Sequence, residues 1–375
     1  MFLVHLQDAH IKPQTWASIP AVKDDAYHAL DEMLLALAGM GHDTRDAYLI
    51  ISGDLFDSTR IHASDLEAVT RLCQNFKRTY YIIGTHDYTE PPFLSSMENT
   101  VWLRDEEIID LGDGVRLAGI QYNRSRPYLL ECLKKLRKQG FGETCAFRDV
   151  LVLHQGFQHL LGFEGAYQLT LADLVEHVPE ARVLCGHVHI PDYTLFKDLP
   201  GGDSSSGCFL STGPLYPQEM PQTRAFCGIT ALDLQKDRED KIDQVPINVR
   251  DYPVLRGTDH YLKEDLEKLN EKSRDSGKLH SLVTIMLQPG ETLTSLGVQE
   301  ERYPWLIVRA RINTAPVSPD ISDASQTADQ YTLENAIMEE VPDETMQPII
   351  LGMLHSDNPQ QYIKKVLEEN KVKVR

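Results

Sequence analysis

The sequence predicts an α/β fold in which a two-sheet core flanked by helices is followed by a small α+β domain and a helical tail. Three observations carry this reading. Residues 2–83 alternate strand-like apolar runs with helix-spaced segments, residues 100–250 are mostly short strands, and beyond residue 250 the pattern becomes strand, helix and strand.

The apolar run 2–6 opens the chain as a strand. Segment 24–38 carries Ala26, Leu30, Met33, Leu34 and Leu37 at helical spacing, and 48–51 is a buried strand. A helix at 63–76 and a strand at 80–83 complete a β-α-β-α-β start, hence an α/β sheet. Strands follow at 107–111, 115–120, 150–153, 182–185, 208–211, 228–234 and 247–249, with helices at 126–139 and 171–177 among them. The run Leu199-Pro-Gly-Gly-Asp-Ser-Ser-Ser-Gly207 has the turn residues of a hairpin loop rather than of a phosphate cradle. A charged amphipathic helix at 261–274 and strands at 282–287 and 305–312 form the smaller domain.

Between Arg311 and Lys364 there is no Lys or Arg but nine acidic residues, and Pro and Ser concentrate at 316–325, so this stretch begins as a flexible linker. Helical spacing returns at 331–340 and 359–369, as two short helices that either dock on a partner or pack on their own protein. The expected boundaries are 1–245 for the main domain, 246–315 for a capping domain, 316–330 for the linker and 331–375 for the tail.

At 375 residues and 42% hydrophobic composition, the chain can bury a sizeable core. No stretch reaches the roughly 20 apolar residues of a membrane span, and the start lacks the pattern of a signal peptide. No membrane partner and a cytoplasmic location are therefore expected. Cys73, Cys132, Cys145, Cys185, Cys208 and Cys227 are scattered without a C-x-x-C pair, which points to buried free thiols. A net charge of −19 excludes a protein that holds nucleic acid on a broad basic surface. A DNA substrate would need help from metals or a partner.

Function is written in five short motifs, each just after an apolar strand run: Asp8-Ala-His10, Gly53-Asp-Leu-Phe-Asp57, Gly84-Thr-His-Asp87, His154-Gln-Gly156 and Gly186-His-Val-His189. Each alone is commonly a satisfied polar pair or an ordinary strand exit. As a set, Asp8, Asp54, His86, His154 and His187 all fall where loops leave the carboxyl ends of strands, so one sheet edge can gather them. Asp oxygens with His nitrogens suit Mn²⁺, Fe²⁺ or Zn²⁺ better than Ca²⁺. Two such ions can grip a phosphate ester from both sides and hold a hydroxide in line with phosphorus, with Asp54 as the carboxylate between them.

The ordered set resembles the calcineurin-like metallophosphoesterases, whose pattern is D-x-H, G-D-x-x-D, G-N-H-D/E, a lone His and G-H-x-H, here over residues 1 to about 245. The resemblance implies a metallophosphoesterase sandwich with two divalent ions, most readily Mn²⁺. Asp8, His10, Asp54 and His189 would hold one ion, and Asp54, His154 and His187 the other. By the same resemblance His86 protonates the leaving oxygen or steadies the transition state, and Asp57 orients His86. Thr85 stands where the family has a metal-ligating Asn, a shorter and poorer ligand for the second ion.

Gly53-Asp-Leu-Phe-Asp57, Leu153-His-Gln-Gly156, Ser211-Thr-Gly-Pro-Leu-Tyr216, Pro246-Ile-Asn-Val-Arg250 and Pro304-Trp-Leu-Ile-Val308 are similar to the SbcD-type DNA-repair exonucleases within this superfamily. That likeness implies DNA ends as substrate, an SbcC-type coiled-coil ATPase as partner, docked by the tail, and a homodimer. Leu66, Val69 and Leu72 either form the dimer face or pack on the sheet. Two other readings stand beside the nuclease. One is a catalytically weakened scaffold that binds DNA ends, favoured by Thr85, and the other is a phosphodiesterase for small molecules such as cyclic nucleotides.

Overall fold

Apolar residues alternate in the strands so that one face of each sheet meets helices and the other meets a second sheet. The computed structural model describes residues 1–312 apart from 14–18, 20–21, 145–147, 162–166, 203–204, 218–225, 235–240, 258–259 and 277–278. The linker, the tail helices and Cys145 lie outside the described residues.

In the first sheet β1 (Phe2–Leu6), β2 (Tyr48–Ser52), β3 (Arg78–Ile82) and β4 (Thr100–Trp102) run parallel, and β11 (Gly228–Asp233) and β12 (Lys241–Pro246) add antiparallel strands beyond β1. The second sheet has the order β5 (Ile108–Gly112), β6 (Val115–Ile120), β7 (Arg148–His154), β8 (Arg182–Gly186), β10 (Cys208–Ser211), β9 (Asp192–Leu195). Its four inner strands are parallel and its two edges antiparallel. The expected two-sheet sandwich is thus observed.

Parity of the strands decides the layers. Leu3 and Ile50 from the first sheet meet Val150, Val152 and Leu184 from the second in a shared seam. Val4, Leu6, Leu49 and Ile51 point the other way, under α1 (Asp25–Gly39) and α2 (Ala63–Gln74). Leu151, Leu153 and Val183 likewise meet α3 (Arg126–Lys138), with α4 (Gln158–Leu161) and α5 (Leu171–His177) alongside. Each fully buried Leu or Val contributes about 1.5–3 kcal/mol. Val69 and Leu72 are buried beneath α2 in this core, so of the three residues considered for a dimer face only Leu66, 41% exposed, looks outward.

The third sheet is wholly parallel, with β13 (Val254–Arg256), β14 (Ser281–Leu287) and β15 (Leu306–Ile312) side by side. Leu262 and Leu266 of α6 (Leu262–Ser276) join Val283, Ile285 and Val308 in a core of their own. A buried ion pair fastens this part to α1: the Arg250 guanidinium lies 2.7 Å from Asp25 Oδ1, and the Tyr252 hydroxyl donates to the same carboxylate.

Three expectations need correction. The strand expected at 247–249 is not one; the chain returns antiparallel to β11 at Lys241–Pro246, where an edge strand tolerates alternating polar residues that hide it from an apolar-run search. The edge strands β4, β9 and β13, of only three or four residues, are too short to signal themselves. Finally, the five motifs leave two sheets rather than one edge, because β7 and β8 belong to the second.

Candidate metal centre

The first three motifs leave β1, β2 and β3, whereas His154 is the last residue of β7 and His187 follows β8 directly. His154 continues the parity of Val150 and Val152, so its ring enters the seam between the sheets. There Nδ1 lies 2.7 Å from the Ser52 carbonyl of the opposite sheet. A carbonyl only accepts, so Nδ1–H is the donor and Nε2 is turned towards Asp54 Oδ2, 3.0 Å away.

The loops are bent to serve the site. Asp8, His10, Asp54 and His187 all have positive φ, from 39° to 86°, a costly backbone for residues with a Cβ and one that accumulates at functional sites. Gly84 is required by close approach: a Cβ there would stand 2.1 Å from Asp54 Oδ1. At Gly53, with φ of 89°, a Cβ would meet the His154 ring at 2.4 Å.

The carboxylates are held by donors from distant motifs. The His187 N–H donates to both Asp8 oxygens at 3.0 Å, and Gln7 Nε2 donates to Asp8 Oδ2 at 3.1 Å. Asp54 accepts from the His86 N–H at 2.8 Å and from the Thr85 hydroxyl at 3.0 Å. Asp87 ties the second and third motifs together, accepting from the Leu55 N–H at 2.8 Å and the Gly84 N–H at 3.0 Å.

Among the described residues three groups of donor atoms result, each within 4.8 Å: Asp8, His10 and His189; His10, Asp54 and His86; and Asp54, His154 and His187. Both nitrogens of His10 and Nε2 of His154 are buried without an aligned hydrogen bond. Orphaned imidazole nitrogens facing carboxylates fit divalent cations of the borderline class. The donor set therefore suits the metals that its composition suggests.

Electrostatics shows how tightly these groups are coupled. Burial raises the Asp8 carboxyl to about 6, outweighing the pull of His154, and the nearby Asp54 carboxylate adds a smaller upward push. Burial acts upward on Asp54 too, but His154 and His10 hold it well below the usual carboxylate range. Burial lowers His154, and the carboxylates of Asp54 and Asp8 overcome it, pushing the imidazole up to about 9. His187, lowered to about 4 by burial and by His154, is neutral and ready to ligate.

Asp57 faces His10 and His86 with different groups. Its carboxylate lies 2.8 Å from Lys12 Nζ and 3.4 Å from His10 Nδ1; burial pushes it up, but these two neighbours hold it down to about 2. What touches His86 is the Asp57 backbone carbonyl, 3.0 Å from Nδ1. Thr85 meets Asp54 through its hydroxyl.

Some supports were hidden from the sequence. The Thr212 N–H donates to Gln7 Oε1 at 2.7 Å, and the Tyr216 hydroxyl donates to the His10 carbonyl at 2.8 Å, so the Ser211-Thr-Gly-Pro-Leu-Tyr216 run braces the first motif. Asp87, Gln7 and Lys12 carried no role in the reading by motif. The fourth position of the third motif was the one available signal for Asp87.

No family model matches the chain. It is similar to the DNA double-strand break repair protein Mre11 of Sulfolobus acidocaldarius, 21% identical over 301 residues covering 74% of this chain and 72% of that protein. The protein of the same name from Sulfurisphaera tokodaii is 23% identical over 304 residues, 76% and 73% of the two chains. That from Saccharolobus solfataricus is 24% identical over 199 residues, 50% and 49% of the two.

Proposed function

We propose, for a chain that belongs to the metallophosphoesterase superfamily on its DNA-repair nuclease side, that it hydrolyses DNA phosphodiester bonds with two divalent ions, Mn²⁺ by preference. One observation carries the proposal: Asp54 is shared by two of the three donor groups, and unpartnered imidazole nitrogens face it from both sheets. Asp8, His10, Asp54 and His189 would hold one ion. Asp54, His154 and His187 would hold the other, with Thr85 beside them.

Bound there, such ions supply Lewis-acid polarisation of the phosphate and a hydroxide nucleophile at neutral pH. The chain's own residues do the rest. His86, exposed at the mouth of the site with Nδ1–H fixed on the Asp57 carbonyl, presents Nε2 to protonate the departing 3′ oxygen. Lys12 holds the Asp57 carboxylate beside His10, which keeps that ring from turning away.

The acidic chain is read as the nuclease subunit of an SbcC/SbcD-type end-processing complex in the cytoplasm. In that reading a coiled-coil ATPase and a homodimer share the DNA contacts, residues 246–315 cap the site and the tail docks the ATPase. No helix among the described residues is long and apolar enough to cross a membrane. A second reading, a weakened DNA-end scaffold, is favoured by one contact: the Thr85 hydroxyl donates to the Asp54 oxygen that a second ion needs.

The deciding experiment titrates Mn²⁺ into chelated protein, counts bound ions by calorimetry and assays linear duplex DNA, single-stranded DNA and cyclic nucleotides in the same samples. Two ions, with DNA cleavage following occupancy of the weaker, is the expected outcome. One ion and no cleavage, with or without the ATPase, would replace the nuclease by the scaffold. In that case Thr85→Asn should restore the second ion.

A further inference from the structure

A cavity of about 450 Å³ opens against the Asp54–His154–His187 side of the centre, with Thr85 in its lining. That is the size of pockets that take small organic groups. Gly84 and Thr85 form the wall shared with the metal ligands, and Tyr122 forms another, its ring 5.3 Å from that of His187 and 6.1 Å from that of His154. Trp102 lies across the cavity.

Trp102 is held in place rather than free to turn. Its Nε1–H donates to Gln121 Oε1 at 3.1 Å, and Gln121 is pinned in turn by the Ile83 N–H at 2.9 Å and by its own bond to the Leu103 carbonyl. The half-buried indole is therefore a fixed flat surface, and the half-buried Tyr122 phenol lines the same cavity beside His187. Exposed Arg124 lines the cavity and Arg104 lies over the indole at 5.5 Å, while the Asp105 carboxylate in the lining is occupied by the Gln121 N–H at 2.7 Å and the Tyr128 hydroxyl at 2.6 Å. Aromatic faces with guanidinium groups nearby suit a heteroaromatic base joined to phosphates, since every base has a π face and its backbone is anionic.

We propose that this cavity is a base-binding subsite, which takes the heterocyclic base of the nucleotide whose phosphate is cleaved and stacks it on Trp102 and Tyr122. The proposal rests on the phosphodiesterase reading above. It adds that the base is seated on the Asp54–His154–His187 side, away from His86, so that an unstacked, splayed nucleotide is preferred over one held in a duplex.

Two measurements on the full-length, Mn²⁺-loaded protein test it. The first compares KM for thymidine 5′-(p-nitrophenyl phosphate) and for methyl p-nitrophenyl phosphate in wild type, Trp102→Leu and Tyr122→Leu. The ratio of the two KM values cancels any disturbance of the neighbouring metal ligands. Each substitution should shift that ratio by on the order of tenfold against the base-bearing substrate, whereas Tyr122→Phe should restore it. A ratio that stays put in both variants overturns the proposal.

The second measurement needs no turnover. Deoxyadenosine monophosphate should quench tryptophan emission, deoxyribose 5-phosphate should not, and Trp102→Phe should abolish the quench although the two other tryptophans remain. Equal binding of the two ligands, or a quench that survives in Trp102→Phe, overturns the subsite. If neither p-nitrophenyl substrate is hydrolysed the phosphodiesterase reading fails, and the quench still decides whether a base binds here.

Discussion

The first sheet supplies both carboxylates of the centre, Asp8 and Asp54, together with His10 and His86, whereas the second supplies only imidazoles, His154, His187 and His189. The difference follows from hydrogen-bonding capacity. A carboxylate only accepts, so to be held it must be surrounded by donors, and backbone N–H groups are spare only where the chain leaves regular structure. Asp8 and Asp54 accordingly sit on left-handed turns and take the N–H groups of His187 and His86. An imidazole brings its own donor. His154 can therefore remain on a regular strand, spending Nδ1–H on the Ser52 carbonyl and offering Nε2.

Two of the three donor groups straddle the seam, while His10, Asp54 and His86 come from the first sheet alone. The largest expected effect breaks both kinds at once. Asp54→Ala should abolish metal binding in the Asp54–His154–His187 group and lower DNA cleavage by more than the roughly 100-fold that loss of a supporting contact costs. Metal counting alongside a cleavage assay reads both.

The next pair separates the kinds. His154→Ala should release one ion and leave the other, because the Asp8–His10–His189 group does not use it. His86→Ala should keep both ions and lower turnover by about 10²- to 10⁴-fold, the usual worth of a general acid. Equal loss of ions in the two variants would contradict the division.

Protonation sharpens it further. His154 is raised to about 9 by Asp54 and Asp8, so below that pH a cation entering the seam group must displace a proton. Affinity for the ion held by His154 should fall by about tenfold for each pH unit below 9. Calorimetry in buffers of different ionisation enthalpy should detect about one proton released. The same binding stabilises the folded chain over its chelated form by about 2.7 kcal/mol at a hundredfold excess of metal over Kd, visible as a rise in Tm.

The last effect tests the seam away from the ligands. His5, buried at the foot of the first motif and bonded to Ser52 Oγ at 2.8 Å, is lowered by burial from 6.5 to about 3. The unfolded chain takes up that proton below about 6.5 and the folded one does not, so stability is complete above 6.5 and is lost as pH falls towards 3. The slope is about 1.4 kcal/mol per pH unit. Urea unfolding across this range should show that limb flattened in His5→Asn, and an unchanged limb would assign the acid lability to other groups.

Much of this molecule is legible in one dimension. The strands β1, β2, β6, β7, β8 and β10 announce themselves as apolar runs, and their period of two already assigns Val150, Val152 and then His154 to a single face. Likewise the positions of the five motifs at strand ends, with their mixture of carboxylate and imidazole, select the class of metal. These are local properties, fixed by the alternation of side chains along an extended backbone and by the chemistry of each donor.

What only the tertiary structure decided are relations across long stretches of chain. Asp57 turns its carboxylate to Lys12 and His10 and only its carbonyl to His86. Val69 and Leu72 go inward while Leu66 stays out, Gln7 finds Thr212, and Tyr216 finds the His10 carbonyl, the last pair 206 residues apart. No periodicity encodes such pairings, because each depends on which sheet a strand joins and on how closely two sheets pack. The identities of the donor groups belong to the sequence, and their convergence across the seam belongs to the fold that brings two independent strand edges within a bond's reach.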